Sequence, residues 1–329
     1  MESSRVQNLP PPPGVIHCIK AGFDLTSAHL TAILLPLVLD MFLWLGPRLR
    51  IDALFNSFKA DLQTLWSAGG IPSADIQSIM DWYESSVPAV NLFWLMRTVP
   101  IGISSLLLPH ETATTPLGHP PDLQVTALNM FGWMLLLILA GWVGGGLYYR
   151  SVAWLAAPST TDQPVRISHA ILQTILVSIL WSMVLMTIGT PVLLFLAILL
   201  QINALLANFV MLVLSLVSMW VIVPLFFWPH GIFLKRQNFL TSIVSSVQLT
   251  RFTLPTSSIF ILTIFLLSVG LNYLWRIPPG DSWMTLVGIL GHSFVTTALL
   301  AGSFIYYRDM NQWLQTLIER LRSSPIKQA

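Results

Sequence analysis

The chain has 329 residues, of which 54% are hydrophobic and only 9% charged; the formal net charge is +2 and the mean hydropathy +0.72. A soluble domain carries roughly a quarter charged residues, so a chain this poor in charge cannot cover its surface for water and calls for a lipid exterior. The small net charge and the lack of a basic run exclude a nucleic-acid partner.

The polar, proline-rich start Met1–Gly14, with Pro10 to Pro13, does not read as a cleavable signal peptide. The lone cysteine, Cys18, excludes an intrachain disulfide and any cysteine-based zinc or iron–sulfur cluster. Residues 1–26 are assigned to a cytoplasmic N-terminal segment. About 20 apolar residues in a helix cross a hydrocarbon core of about 30 Å. The first such run is Ser27–Gly46, closed by Gly46-Pro47.

An outer loop of residues 47–124 follows. Within it, Ile51–Trp66 places Ile51, Leu54, Phe55, Phe58, Leu62, Leu65 and Trp66 on one helical stripe. Ser73 offers an N-cap for a second short helix reaching about Ser85. Both helices are expected to lie in the membrane interface or, equally, to dock on a partner. The segment Val87–Pro109 is apolar but holds Arg97 and is interrupted by Pro88, Pro100, Gly102 and Pro109. It reads as a re-entrant or interfacial element, with a true span as the alternative. Pro109 to Pro121 is rich in proline and threonine and reads as irregular.

Further spans are expected over Val125–Tyr149, twice within the tract Ile167–Leu234, over Leu254–Trp275 and over Trp283–Tyr307. The turn inside the long tract falls near Gln201, Asn203 and Asn208. Between spans, Asn238–Phe252 puts Phe239, Leu240, Ile243, Val244 and Val247 on one face and Ser242, Ser245, Ser246 and Gln248 on the other. It reads as an interfacial helix or a coupling helix for a cytoplasmic ATPase. The tail 308–329 carries an apolar stripe of Trp313, Leu314, Leu317, Ile318 and Leu321 opposite Arg320 and Arg322.

The expected fold is therefore an all-α integral membrane protein, a bundle of about six transmembrane helices over residues 27–307 with interfacial amphipathic helices. With six spans and the N-terminus inside, eleven Lys and Arg face the cytoplasm and five (Arg48, Arg50, Lys59, Arg97, Arg276) face out, together the 16 in the chain. Seven spans would move the N-terminus outside and also satisfy the rule. In both cases the C-terminus is cytoplasmic, which suits an inner, cytoplasmic membrane.

Few residues could carry chemistry. Asp40 lies inside the first span, and an intramembrane carboxylate is a functional candidate that could pair with Arg97 or reach headgroup water. His292, about ten residues into the last span, is the best single candidate for ligating haem, a chlorin or a metal. His29, His169 and His230 fall at span ends. No metal-site or nucleophile motif is present, so no catalytic residue, metal or cofactor is predicted. Gly141 and Gly145, and Ala298 and Gly302, stand four apart and mark faces where helix backbones approach closely.

The stretch SSVQLTRFTLPTSSIFILTIFLLSVGLNYLW (Ser245–Trp275) and the closing FIYYRDMNQWLQ (Phe304–Gln315) resemble uncharacterised bacterial polytopic proteins, including the membrane domain attached to some glycerophosphodiester phosphodiesterases. The resemblance covers about a quarter of the chain. It implies a bacterial membrane module without catalytic residues of its own. The leading expectation is a non-catalytic scaffold or accessory subunit whose partners are the bilayer and other membrane subunits. The alternative is a transport permease subunit using Asp40, Arg97 and the broken segment 87–109, with an ATPase as partner.

Overall fold

A computed structural model of the chain describes residues 11–87, 90–107, 114–157 and 164–323, of which 321–323 are described by backbone alone. The start Met1–Pro10, Pro88, Pro109, the first part of the proline- and threonine-rich stretch, and the end of the amphipathic tail lie outside the described residues.

Helix α1 (Val15–Ala28) ends where His29 leaves helical geometry (φ −131°, ψ 66°), and a short 3-10 turn, Leu30–Ile33, leads into α2 (Leu34–Leu45). The span expected over Ser27–Gly46 is thus a shorter helix after a bend. Pro36 is tolerated because it sits in the first turn of α2, where its missing N–H has no partner to lose. The 12 residues of α2 rise about 18 Å, short of a hydrocarbon core, so α1 and α2 count as one span only together.

The two ends of the expected outer loop are tied by strands that sequence did not signal. Strand β1 (Arg48–Arg50) pairs in parallel with β2 (Asp122–Gln124), Arg48 opposite Asp122 and Arg50 opposite Gln124. Arg50 Nε donates to Asp122 at 3.1 Å. Burial, with Arg50 beside it, holds the Arg48 guanidinium below its usual value. Helices α3 (Asp52–Ala68) and α4 (Ser73–Ser86) follow β1. Their apolar stripes meet each other: Phe55, Ile76, Met80 and Val87 form a small core with Ile51, Leu62, Trp66 and Tyr83 against it. Phe55 stacks on Tyr83 at 4.9 Å, and Lys59 pairs with Glu84. Pro72 holds the N-cap position of α4, and Ser73 begins the helix without capping it.

The described part of the broken segment holds a 3-10 turn, Leu92–Met96, and then irregular chain to Leu107, including a cis peptide at Val99–Pro100. No helix among the described residues carries the seventh span. The remaining helices are α5 (Ala127–Ala156), α6 (Ile167–Ile202), α7 (Ala204–Lys235), α8 (Phe239–Trp275) and α9 (Met284–Ser323). These five are long and apolar enough to cross a membrane, and the bent α1–α2 pair makes six. The protein is an all-α, multi-pass membrane bundle. The turn between α6 and α7 falls at Asn203, whose side chain accepts from the amides of Leu205 and Leu206.

The chain divides into two compact units that do not follow the boundaries at 26, 47, 124 and 307. Unit one takes Met1–Ala32, Gly146–Val269 and Val295–Ala329; unit two takes Ile33–Gly145 and Gly270–Phe294. The core of unit one is aromatic, with Phe227, Phe260, Phe304, Tyr306 and Tyr307 buried and Phe260 stacked on Tyr306 at 3.9 Å. His230 lies in this core, its Nε2 2.7 Å from the Ser303 hydroxyl. Beyond it, the middle of the α6–α7 hairpin exposes apolar side chains such as Met186, Leu194, Phe195, Phe209 and Leu216, as lipid contact requires.

The amphipathic segment Asn238–Phe252 is the first part of α8 and continuous with the span, across a kink at Thr253 two residues before Pro255. Its serine side turns into the protein and much of its apolar side turns out. Ser242 and Ser246 are buried and donate to the carbonyls of Trp228 and Pro224, while Leu240 and Val244 are exposed. In lipid the apolar face belongs outside, and hydroxyls gain most where a proline-broken helix leaves carbonyls open. The C-terminal stripe is likewise a continuation of α9 through Ser323.

Candidate functional site

Unit two gathers the polar residues of the spans around the end of the broken segment. Asp40, near the end of α2, is fully buried. Its two carboxylate oxygens accept from the Leu106 amide at 3.2 and 3.1 Å, and the Ser105 hydroxyl donates to the same carboxylate. At the next peptide, Arg276 Nε donates to the Leu106 carbonyl at 2.7 Å. Arg97 donates to the Leu107 carbonyl at 3.4 Å, and the Leu107 amide donates to Ser105 Oγ at 3.2 Å. Irregular backbone among apolar helices needs such partners, because no water supplies them.

The imidazole of His292, 1% exposed, completes the cluster. Its Nδ1 lies 2.6 Å from Asn272 Oδ1, and its Nε2 lies 3.4 Å from Ser104 Oγ and 4.0 Å from Asp40 Oδ2. With both ring nitrogens engaged, ligation of a haem or chlorin iron or magnesium would have to displace Ser104 or Asn272. Among the described residues no group of three or more His, Cys, Asp or Glu side chains is placed to hold a metal ion.

Asp40 and Arg97, singled out by sequence, do share this cluster, but they do not form a direct ion pair within 4.0 Å. The charges of Arg97 and Arg276 both act on the carboxylate through space. Arg97 instead stacks on Trp94, its guanidinium carbon 4.2 Å from the ring centroid. Burial pulls its guanidinium below the usual value, with Asp40 opposing that effect. The arrangement holds one carboxylate, one imidazole and two guanidinium groups around three consecutive peptides. It holds an irregular stretch of backbone in place.

The small-residue pairs mark close approaches, each with a partner that spacing alone does not reveal. On α5, a side-chain carbon at Gly141 would meet the Met96 carbonyl, and one at Gly145 would fall 2.6 Å from the Cα of Gly102. That face therefore receives the broken segment rather than another helix. In unit one, Ala298 and Gly302 of α9 meet α1: a side-chain carbon at Gly22 would fall 2.8 Å from the Gly302 Cα.

Sequence reasoning missed Ser104, Ser105, Asn272 and Arg276. Arg276 reads as an ordinary loop charge. Yet Asn272 and Arg276 stand four apart at the end of an apolar helix and so share one face, a polar pairing that could have flagged them. No family model, curated protein or solved structure matches the chain.

Proposed function

We propose that the chain is a non-catalytic scaffold or accessory subunit of a larger assembly in a bacterial cytoplasmic membrane, with its C-terminus in the cytoplasm. The observation that carries this reading is how the buried polar groups are spent. Asp40 accepts from the Leu106 amide, while Arg276 and Arg97 donate to the carbonyls of Leu106 and Leu107. An intramembrane acid committed in this way shapes the fold rather than turning over a substrate. The excess of Lys and Arg on the C-terminal side supports the orientation, and the resemblance of Ser245–Trp275 and Phe304–Gln315 to membrane modules supports the class. Its partners are lipid and other membrane subunits.

The test is a mild-detergent pull-down of the tagged protein from its own membranes, read by mass spectrometry. Stoichiometric recovery of other membrane proteins is the expected result; recovery of the chain alone would overturn the reading. A second reading, a permease subunit coupled to a cytoplasmic ATPase, draws on the fully buried Asp40 and His292, 4.0 Å apart beside a broken segment. A copurifying ATPase, with transport lost in Asp40→Asn, would favour it.

A further inference from the structure

Unit one holds a cavity of about 240 Å³ lined by Val165, Arg166, His169 and Arg236. Three of these four side chains are basic or imidazole, and among the described residues the lining has no carboxylate. Arg150 adds a further cation nearby, donating to the Val165 carbonyl at 2.6 Å. His169 Nε2 is buried and has no hydrogen-bond partner, a costly state for a ring nitrogen unless a ligand meets it. Arg166 occupies the N-cap position of α6 without a side-chain capping bond. The amides of Ile167, Ser168 and His169 therefore begin the helix without intrahelical acceptors, at the positive end of its dipole. Arg236 reaches the same cavity from the end of α7 in a left-handed conformation (φ 54°, ψ 30°) that a side chain adopts at some cost.

Cationic side chains, amides without intrahelical acceptors and an imidazole without a partner among the described residues together call for a compact anion with several acceptor oxygens. We propose that this cavity binds a phosphate group, the chemistry shared by acidic phospholipid headgroups and by free phosphate. Its surroundings favour the lipid. Ile167 and Leu172 are 51% and 54% exposed beside Arg166, so acyl chains have an apolar path leading from the phosphate. Basic pockets between spanning helices on the cytoplasmic side recognise headgroups in this way.

The test uses the full chain in neutral detergent and measures binding of short-chain phosphatidylglycerol, phosphatidylcholine and inorganic phosphate. Wild-type protein is expected to bind phosphatidylglycerol more tightly than phosphatidylcholine. Arg166→Gln and Arg236→Gln should each weaken that binding about fivefold, whereas Arg251→Gln, an exposed arginine outside the cavity, should not. Competition by inorganic phosphate would support the site and identify a soluble anion as a sufficient ligand. Binding of the phospholipid without such competition would support the site as a headgroup site. Thermal unfolding without lipid checks that the variants are folded, and His169→Gln keeps the test open if an arginine variant is not. Unchanged binding in the cavity variants, or an equal loss in Arg251→Gln, would overturn the proposal.

Discussion

Both carboxylate oxygens of Asp40 accept the amide hydrogen of Leu106, across 66 positions of chain. Replacing Asp40 by Leu strands that buried amide and removes the charge that acts through space on the half-buried Arg97 and Arg276. The expected loss is about 2 kcal/mol, the scale of leaving a buried donor unsatisfied. Asp40→Asn keeps an acceptor and should lose nearer 1 kcal/mol. Thermal unfolding of the two variants in detergent separates these outcomes, and equal losses would mean that the amide contact contributes little.

Glycines on α5 should differ sharply by position. Gly145→Ala drives a methyl group against the Gly102 backbone and should cost about 2 kcal/mol, as overpacking does. At Gly132 nothing stands within 4 Å, so Gly132→Ala should be neutral or add about 0.5 kcal/mol through helix propensity. The same unfolding assay decides it: a destabilised Gly132→Ala with an unaffected Gly145→Ala contradicts the packing described.

On α8 the polar face is the sensitive one. Ser246→Val removes the donor to the Pro224 carbonyl and crowds a buried site, with an expected loss of about 2 kcal/mol. Val244→Ala, on the exposed face, should change stability by less than about 0.5 kcal/mol. The reverse order would contradict the inward-facing serine side.

Cys18 is fully buried, with its backbone against Gly302, so the native protein should be silent to a thiol reagent until denatured. That silence makes engineered cysteines clean reporters of orientation. Asn238→Cys and Asp281→Cys sit in exposed turns at opposite ends of α8. A membrane-impermeant maleimide should label the second in intact cells and the first only after permeabilisation. Labelling in the opposite pattern would invert the orientation.

The spans were legible because apolar runs of about 20 residues have one economical use, and Asn203 marked its turn by polarity alone. Close approach was legible at Gly145 and Gly302, where a side chain is missing, but not its partner, since Gly102 and Gly22 lie far away in sequence. The bend at His29 has no proline or glycine to mark it, so the sequence pattern ran the span straight through from Ser27. The strand pair at Arg48–Arg50 escaped for another reason: three residues are too few to show alternation. In α8 the two faces were legible, but not which of them packs inward. Pattern gives the two faces, whereas the solvent, oil rather than water, decides which one turns inward.

The bond from Arg276 to the Leu106 carbonyl spans 170 positions, and this has a consequence for biosynthesis. At translation rates of about 5–20 residues per second, roughly ten to thirty seconds separate the synthesis of the two partners. Until α8 and the first turns of α9 are made, the broken segment has no guanidinium at Leu106 and no imidazole at Ser104, and bare backbone is not tolerated against lipid. It must therefore wait at the aqueous surface or in a protein-lined insertion site and be drawn in late, by the very helices that follow it off the ribosome.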